Sequence, residues 1–218
     1  MVKLLAIEAT IGAGKSTQLE LLRALFKDEI KSGEVILLEE PVQKWMDRGL
    51  LQAFYLGELS KATFQFVVLM SLAGPLIKAF YKAPKLIISE RSPYSNFHTF
   101  AKLNLDPKDL NAYSFTFDEL MSSMDQNELE LHMMYLKVTP QTAIGRVASR
   151  DRDSEGQIQL AYMQALHAVH EKLGENANPH KFYVVDGERS VEDVSSCVTA
   201  IATSLLGDDH NSSRIALV

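Results

Sequence analysis

The segment Leu4-Leu5-Ala6-Ile7-Glu8-Ala9-Thr10-Ile11-Gly12-Ala13-Gly14-Lys15-Ser16-Thr17 decides the fold. Leu4 to Glu8 reads as a short buried strand. Gly12 and Gly14 read as a tight turn. Lys15 to Lys27 reads as a helix, with Leu19, Leu22, Leu25 and Phe26 at helical spacing. A strand, a glycine-rich turn and Gly-Lys-Ser opening a helix form the context of a phosphate-binding loop. Glycines let successive N–H groups face one anion, and the helix N-terminus adds its dipole. Ile11, Gly12, Ala13, Gly14, Lys15, Ser16 and Thr17 are therefore the candidate ATP-phosphate ligands. In this reading Lys15 reaches the β- and γ-phosphates and Ser16 holds Mg²⁺. The signature opens with glycine where this chain has Ala9. Alanine tolerates fewer backbone conformations, so weakened nucleotide binding is an expectation to test.

Working outward, further strands read at Val35 to Leu38, Lys85 to Ser89, Leu131 to Val138 and Phe182 to Val185. All but Leu131–Val138 are continuous apolar runs, the pattern of strands covered on both faces. The fold class is thus α/β, with a five-stranded parallel sheet and helices on both faces. Helices read at Ser60 to Lys82, with Gly74-Pro75 expected to kink or split it, and at Phe115 to Met124. Thr139-Pro140 caps a helix to Ser149. Ser154 and Gln157 resemble a capping box opening a helix with Leu160, Met163, Leu166, Val169 and Leu173 on one stripe. Val191 to Leu206 forms the last helix. The chain reads as one domain over 1–207, with a lid at 146–157 and a mobile tail at 208–218. Asn104–Ser114 and Arg150–Gly156 are expected to be loose.

Composition narrows the function classes. The chain has 218 residues, 46% hydrophobic, 23% charged, with a net charge of −6. That is enough apolar material for a full core. It is the wrong sign for a general nucleic-acid binder, which displaces counterions with Lys and Arg. One cysteine, Cys197, excludes an internal disulfide and a Cys-rich zinc site. A reducing, cytoplasmic setting is expected. No apolar run reaches about 18 residues and the N-terminus lacks a signal-peptide pattern, so no membrane partner is expected.

Three more segments point past nucleotide binding. Strand two ends in Glu39-Glu40-Pro41-Val42, with Trp45 beyond. Strand three ends in Ser89-Glu90-Arg91-Ser92, with Tyr94 beyond. Arg146, Arg150 and Arg152, then Glu155, follow the fourth strand. In an open parallel sheet the site lies at the carboxyl ends of the strands, so acids at the ends of strands one to three converge there. After a phosphate loop, the arginine cluster reads as a cationic lid over transferring phosphate.

In order along the chain stand IGAGKST, EPV(x)2W, LLQ(x)2Y at Leu50–Tyr55, TFQ at Thr63–Gln65, ERSPYS at Glu90–Ser95 and R(x)3RDR(x)2E at Arg146–Glu155. Together they resemble the deoxynucleoside kinase family, from Leu4 to about Leu206. The resemblance implies a P-loop kinase fold with an arginine-rich lid. It implies transfer of the ATP γ-phosphate to the 5′-hydroxyl of a deoxynucleoside, with Mg²⁺, in a homodimer joined through the long helix. Glu40 becomes the base, Arg91 its holder, and Glu90 joins Ser16 around Mg²⁺. Arg146, Arg150 and Arg152 become the phosphate-neutralising lid, with Lys15 in the loop and Arg150 also touching ATP. Tyr55 and Glu155 become ligands of the sugar 3′-hydroxyl, and Gln65 the reader of the base edge. Trp45, Leu51, Phe64, Val68, Leu72 and Phe97 become the slot walls. Adenine is expected near the turn holding Asp186 and Glu188.

Two departures bear on the base. Asn96 stands where members preferring deoxycytidine or purines carry an acid, and Leu72 where several carry arginine. A buried carboxylate without its arginine is costly, so the two changes fit together. Pyrimidine deoxynucleosides are expected, thymidine included. Three rivals remain to be separated: a thymidylate kinase, a non-catalytic kinase-like subunit and a P-loop switch. EPVQKW and Glu-Arg-Ser differ from the thymidylate kinase pattern. The retained Lys15, Ser16, Glu40 and Arg91 speak against a silent subunit, and no Asn-Lys-x-Asp motif supports a switch.

Overall fold

The computed structural model describes residues 1–150, 158–177 and 179–207. At its centre lies a five-stranded, fully parallel sheet of β1 (Val2–Glu8), β2 (Val35–Leu38), β3 (Leu86–Glu90), β4 (Leu129–Lys137) and β5 (Lys181–Asp186), in the order β2-β3-β1-β4-β5. Every β-to-β connection therefore passes through helices. After β1 come α1 (Lys15–Leu25) and α2 (Lys27–Ser32). After β2 come α3 (Val42–Asp47), α4 (Leu50–Tyr55) and α5 (Lys61–Phe80). After β3 come α6 (Pro93–Asn96), a π-type turn at Phe97–Ala101, α7 (Lys102–Asn104) and α8 (Pro107–Ser122). After β4 come α9 (Pro140–Arg150), α10 (Leu160–Glu171) and α11 (Leu173–Ala177), and α12 (Val191–Gly207) follows β5.

Alternation along β1 sorts the core. Leu5 and Ile7 pack on one face with Leu19 and Leu22 of α1 and Val194, Val198 and Ala202 of α12. Val2 and Leu4 pack on the other with Leu69, Ala73 and Leu76 of α5 and Tyr113 and Phe117 of α8. Successive strand side chains point to opposite faces, so this sequence covers both.

Several expectations need correction. The helix after the phosphate loop breaks at Phe26, whose N–H returns to the carbonyl of Leu22, and α2 restarts beyond it. Of the expected kink or split at Gly74-Pro75, the split does not occur, since α5 runs on through Pro75. Burial of Leu72, Ala73, Leu76 and Ala79 around that point outweighs the missing N–H donor. The segment from Asn104 to Ser114 is not a loose place. Asp106 caps α8 by accepting from the N–H groups of Lys108 and Asp109 at 2.9 Å, with Pro107 in the first turn. Strand β5 is an edge strand, alternating rather than doubly covered, with Val184 56% exposed. On α10 the buried stripe is Met163, Leu166 and His170, while Leu160 is exposed and Val169 only partly covered. The Ser154/Gln157 box and the 208–218 tail lie outside the described residues. Among the described residues, α5 alone has the length and apolarity of a membrane span, and half of that window is buried in the core.

Ile88 of β3 is fully buried between β1 and β2. Ile88→Ala is expected to cost about 2–5 kcal/mol in chemical denaturation, from lost burial plus the cavity.

Candidate active site

The glycines of the loop have the backbone their chemistry allows. Gly12 (φ 81°) and Gly14 (φ 97°) are left-handed, and Gly14 caps α1. A Cβ at Gly12 would stand 2.5 Å from the carbonyl oxygen of Ala143 and 2.8 Å from Val147, so α9 presses directly on the loop. Ala9 is not among the positive-φ residues. It is fully buried in the core, and its carbonyl oxygen accepts from Arg91 Nη1 at 2.9 Å. The expected handicap of alanine at this position therefore has no conformational basis.

Arg91 is the hub of the strand ends. It is one of two described non-glycine residues with positive φ, at 64°. Its backbone N–H donates to Ile7 at 3.1 Å, and its carbonyl accepts from Ser89 Oγ. Its Nε donates to Glu40 Oε1 at 2.9 Å, and its guanidinium lies 4.4 Å from the centre of the Phe100 ring. Both partners of the Arg91–Glu40 pair are largely buried, at 3% and 14% side-chain exposure. Ser16 Oγ donates to Glu90 Oε1 at 2.8 Å. Burial, then the Arg91 charge, lowers Lys15 to about 8.

These groups open on one cavity of about 380 Å³. One end is the phosphate loop with Ile11, Gly12, Gly14, Lys15, Ser16 and Thr17, together with Arg146. The middle holds Glu40, Glu90 and Arg91. The rest of the lining is mostly apolar, with Trp45, Leu51, Tyr55, Phe64 and Val68, joined by the amides Gln65 and Asn96. Phe64 stacks on Phe54 at 4.4 Å and meets Trp45 edge-on at 5.7 Å. Arg146 donates to the carbonyls of Gly187 at 3.1 Å and Ala13 at 3.5 Å, tying α9 to the loop.

Other expected residues sit elsewhere. Ala13 does not line the cavity but offers its carbonyl to Arg146. Leu72 backs the slot from within the Trp45–Leu51–Phe64–Val68 cluster. Phe97 turns away, stacking on Phe117 at 5.1 Å and Tyr113 at 6.0 Å. Glu188 caps α9, accepting from Thr139 N–H at 2.6 Å and Thr142 Oγ1 at 2.9 Å, and Asp186 accepts from Glu188 N–H. The Thr139 N–H bond is the main reason the Glu188 carboxyl is held below the usual range. Arg150 ends α9, and Arg152 and Glu155 lie outside the described residues.

Val42, Phe54, Phe100 and Tyr162 line the cavity without having been anticipated. Phe54 lies inside the LLQ(x)2Y segment and could have been read there. Phe100 depends on the π-type turn, which α-helical spacing does not foresee.

A family model described as deoxynucleoside kinase matches residues 5–205. The chain belongs to the deoxynucleoside kinase family. The kinase is 31% identical to human deoxycytidine kinase over 202 residues, covering 78% of this chain and 74% of that one. It is 29% identical to mitochondrial deoxyguanosine kinase of Xenopus laevis over 200 residues, covering 78% and 72%. A fowlpox virus protein named as a deoxycytidine kinase is 27% identical over 213 residues, covering 93% and 86%. This is an ATP-dependent deoxynucleoside kinase, and its small-molecule substrates are ATP and a nucleoside.

Beneath Arg91 lies Glu8, fully buried, accepting from Ser92 Oγ at 3.2 Å with Oε2 unpartnered. Burial raises it to about 7 against the pull of Arg91 and Lys15. Because the folded value exceeds the unfolded one, the folded state holds the extra proton between pH 4.5 and 7. Glu8 therefore subtracts stability as pH rises through that window. Glu8→Gln is expected to flatten the fall of melting temperature across it. Gly12→Ala is expected to weaken ATP binding by more than about ten-fold in calorimetry, through strain at positive φ plus the clash with α9.

Proposed function

We propose that this kinase phosphorylates the 5′-hydroxyl of pyrimidine deoxynucleosides, thymidine among them. The observation that carries the reading is the Glu40–Arg91 pair in the middle of one cavity, between a phosphate loop and an apolar slot. A base at that junction faces both the acceptor hydroxyl and the phosphate to be transferred. Glu40 takes the 5′-hydroxyl proton while Arg91 fixes its carboxylate. Lys15 and Arg146 stabilise charge on the transferring phosphoryl group, joined by Arg150 and Arg152. The adenine lies against the turn after β5, at Asp186 to Glu188. Tyr55 and Glu155 take the sugar 3′-hydroxyl, and Gln65 the base edge.

Ser16 Oγ and Glu90 Oε1 suit Mg²⁺, being two neighbouring oxygens on the cavity wall. Magnesium keeps several waters and needs few protein ligands. When bound it would screen phosphate charge and orient the nucleotide.

The neutral slot supports a pyrimidine. Leu72 and Val68 bring no charge, and the polar groups over it are the amides Gln65 and Asn96. Similarity to proteins named as deoxycytidine kinases supports the same class. A homodimer is supported by large apolar side chains left exposed on α5, at its C-cap and on α8, namely Met70 (53%), Tyr81 (67%) and Phe115 (67%).

A steady-state assay with Mg-ATP and thymidine, deoxycytidine, deoxyadenosine, deoxyguanosine and dTMP tests the reading. Turnover of the pyrimidine nucleosides without dTMP is expected. Turnover of dTMP alone would move the chain to monophosphate chemistry. Glu40→Gln is expected to lower kcat by about 10²–10⁴ with nucleoside binding nearly intact. Wild-type kcat in that variant would remove Glu40 from the role of base.

A further inference from the structure

We infer that Gln65, Asn96 and Tyr113 form a hydrogen-bond relay of reversible polarity, which lets one slot read both the amino edge of cytosine and the imide edge of thymine. The inference rests on the proposed reading, in which Gln65 and Asn96 meet the base.

Asn96 Nδ2 donates to Gln65 Oε1 at 3.3 Å and to the Tyr113 hydroxyl at 2.8 Å. Both N–H groups of Asn96 are thereby spent. Gln65 keeps its Nε2 donors for a ligand, and Asn96 keeps its Oδ1 acceptor. Both amides line the cavity. A donor beside an acceptor matches N3 and the N4 amino group of cytosine.

The same three side chains support the opposite state. A carboxamide is nearly symmetric in shape, so a half-turn of both amides exchanges N for O in place. Gln65 Nε2 then donates to Asn96 Oδ1, and Tyr113 O–H donates to that same oxygen. The cavity now meets Gln65 Oε1 and Asn96 Nδ2, which match N3–H and O4 of thymine. Tyr113 makes both states possible because a hydroxyl both donates and accepts. A carboxylate at position 96 could only accept, and an apolar residue would break the chain.

The surroundings hold the relay in register. Tyr113 is fully buried and does not line the cavity. Its ring is set between Phe97, at 6.0 Å and 9°, and Phe66, at 5.6 Å. The Asn96 backbone is tied by its N–H to the Ser92 carbonyl at 3.0 Å, in a helix whose start is a Ser92–Ser95 capping box. Only the terminal amide torsions remain free to turn.

Removing the hydroxyl has a directional consequence. In the cytosine state, Tyr113→Phe leaves a buried Asn96 N–H without an acceptor. In the thymine state, Asn96 Oδ1 still accepts from Gln65. An orphaned donor costs more than a half-used carbonyl oxygen. Tyr113→Phe is therefore expected to raise the thymidine to deoxycytidine ratio of kcat/KM by roughly five-fold or more. A general packing defect would lower both values together and leave the ratio alone. The same substitution in an Asn96→Leu background is expected to leave the ratio unmoved, since no relay exists there. An unchanged ratio in Tyr113→Phe, a shift toward deoxycytidine, or an equal shift in both backgrounds overturns the relay. So does a wild type that uses only one of the two nucleosides. A wild type that uses neither overturns the proposed function instead.

Discussion

Arg91 held in a left-handed backbone is the constraint on which the rest of the site depends. A non-glycine residue at φ 64° costs roughly 1–3 kcal/mol and persists only when its surroundings over-determine it. Here they do. The residue is bonded to the end of β1 through Ile7 and Ala9, to the end of β2 through Glu40, and to its own strand through Ser89, and it is cushioned by Phe100. Through its backbone and its side chain together, one residue thus ties three strand ends to one another and packs on the π-type turn beyond α6. Glu40 needs no separate support, because its partner cannot move without breaking the others.

The same knot concentrates charge where an acidic chain has little water to spare. Lys15, Arg91 and Glu8 are all buried, and the Arg91 charge acts on the proton affinities of both Glu8 and Lys15, which also act on one another. Glu8 is the group that yields, keeping its proton near neutrality because desolvation outweighs its two cationic neighbours. The carboxylates that face the cavity, Glu40 and Glu90, sit one layer higher, paired with Arg91 and Ser16. Of the three strand-end acids, Glu40 and Glu90 line the cavity and Glu8 does not.

Much of this was legible in the chain. The phosphate loop could be read because backbone conformation there is set locally, by glycines and a helix start. Strands β1, β2 and β3 were legible as apolar runs because a strand of a parallel sheet is covered on both faces. Residues at strand ends were legible because strand ends converge. The edge character of β5 and the continuity of α5 through Pro75 were not, since each depends on what lies alongside. Asp106-Pro107 did carry the start of α8, but weak apolar periodicity in its first turns hid it. Phe97, which the resemblance implied for the slot wall, points elsewhere, and Phe100 lines the cavity instead, both within a π-type turn that α-helical spacing does not foresee.

By itself, then, the sequence determined the α/β class, the loop, the three strand-end acids and the arginine of the hub. Those follow from short-range rules: hydrophobic runs, glycine freedom and helix caps. Tertiary structure decided that Ala9 needs no left-handed backbone, that Glu40 lines the cavity while Glu8 does not, and that Asn96 is joined to Tyr113 seventeen positions away. These depend on distances between segments remote in the chain, and no local pattern encodes how two packed elements meet.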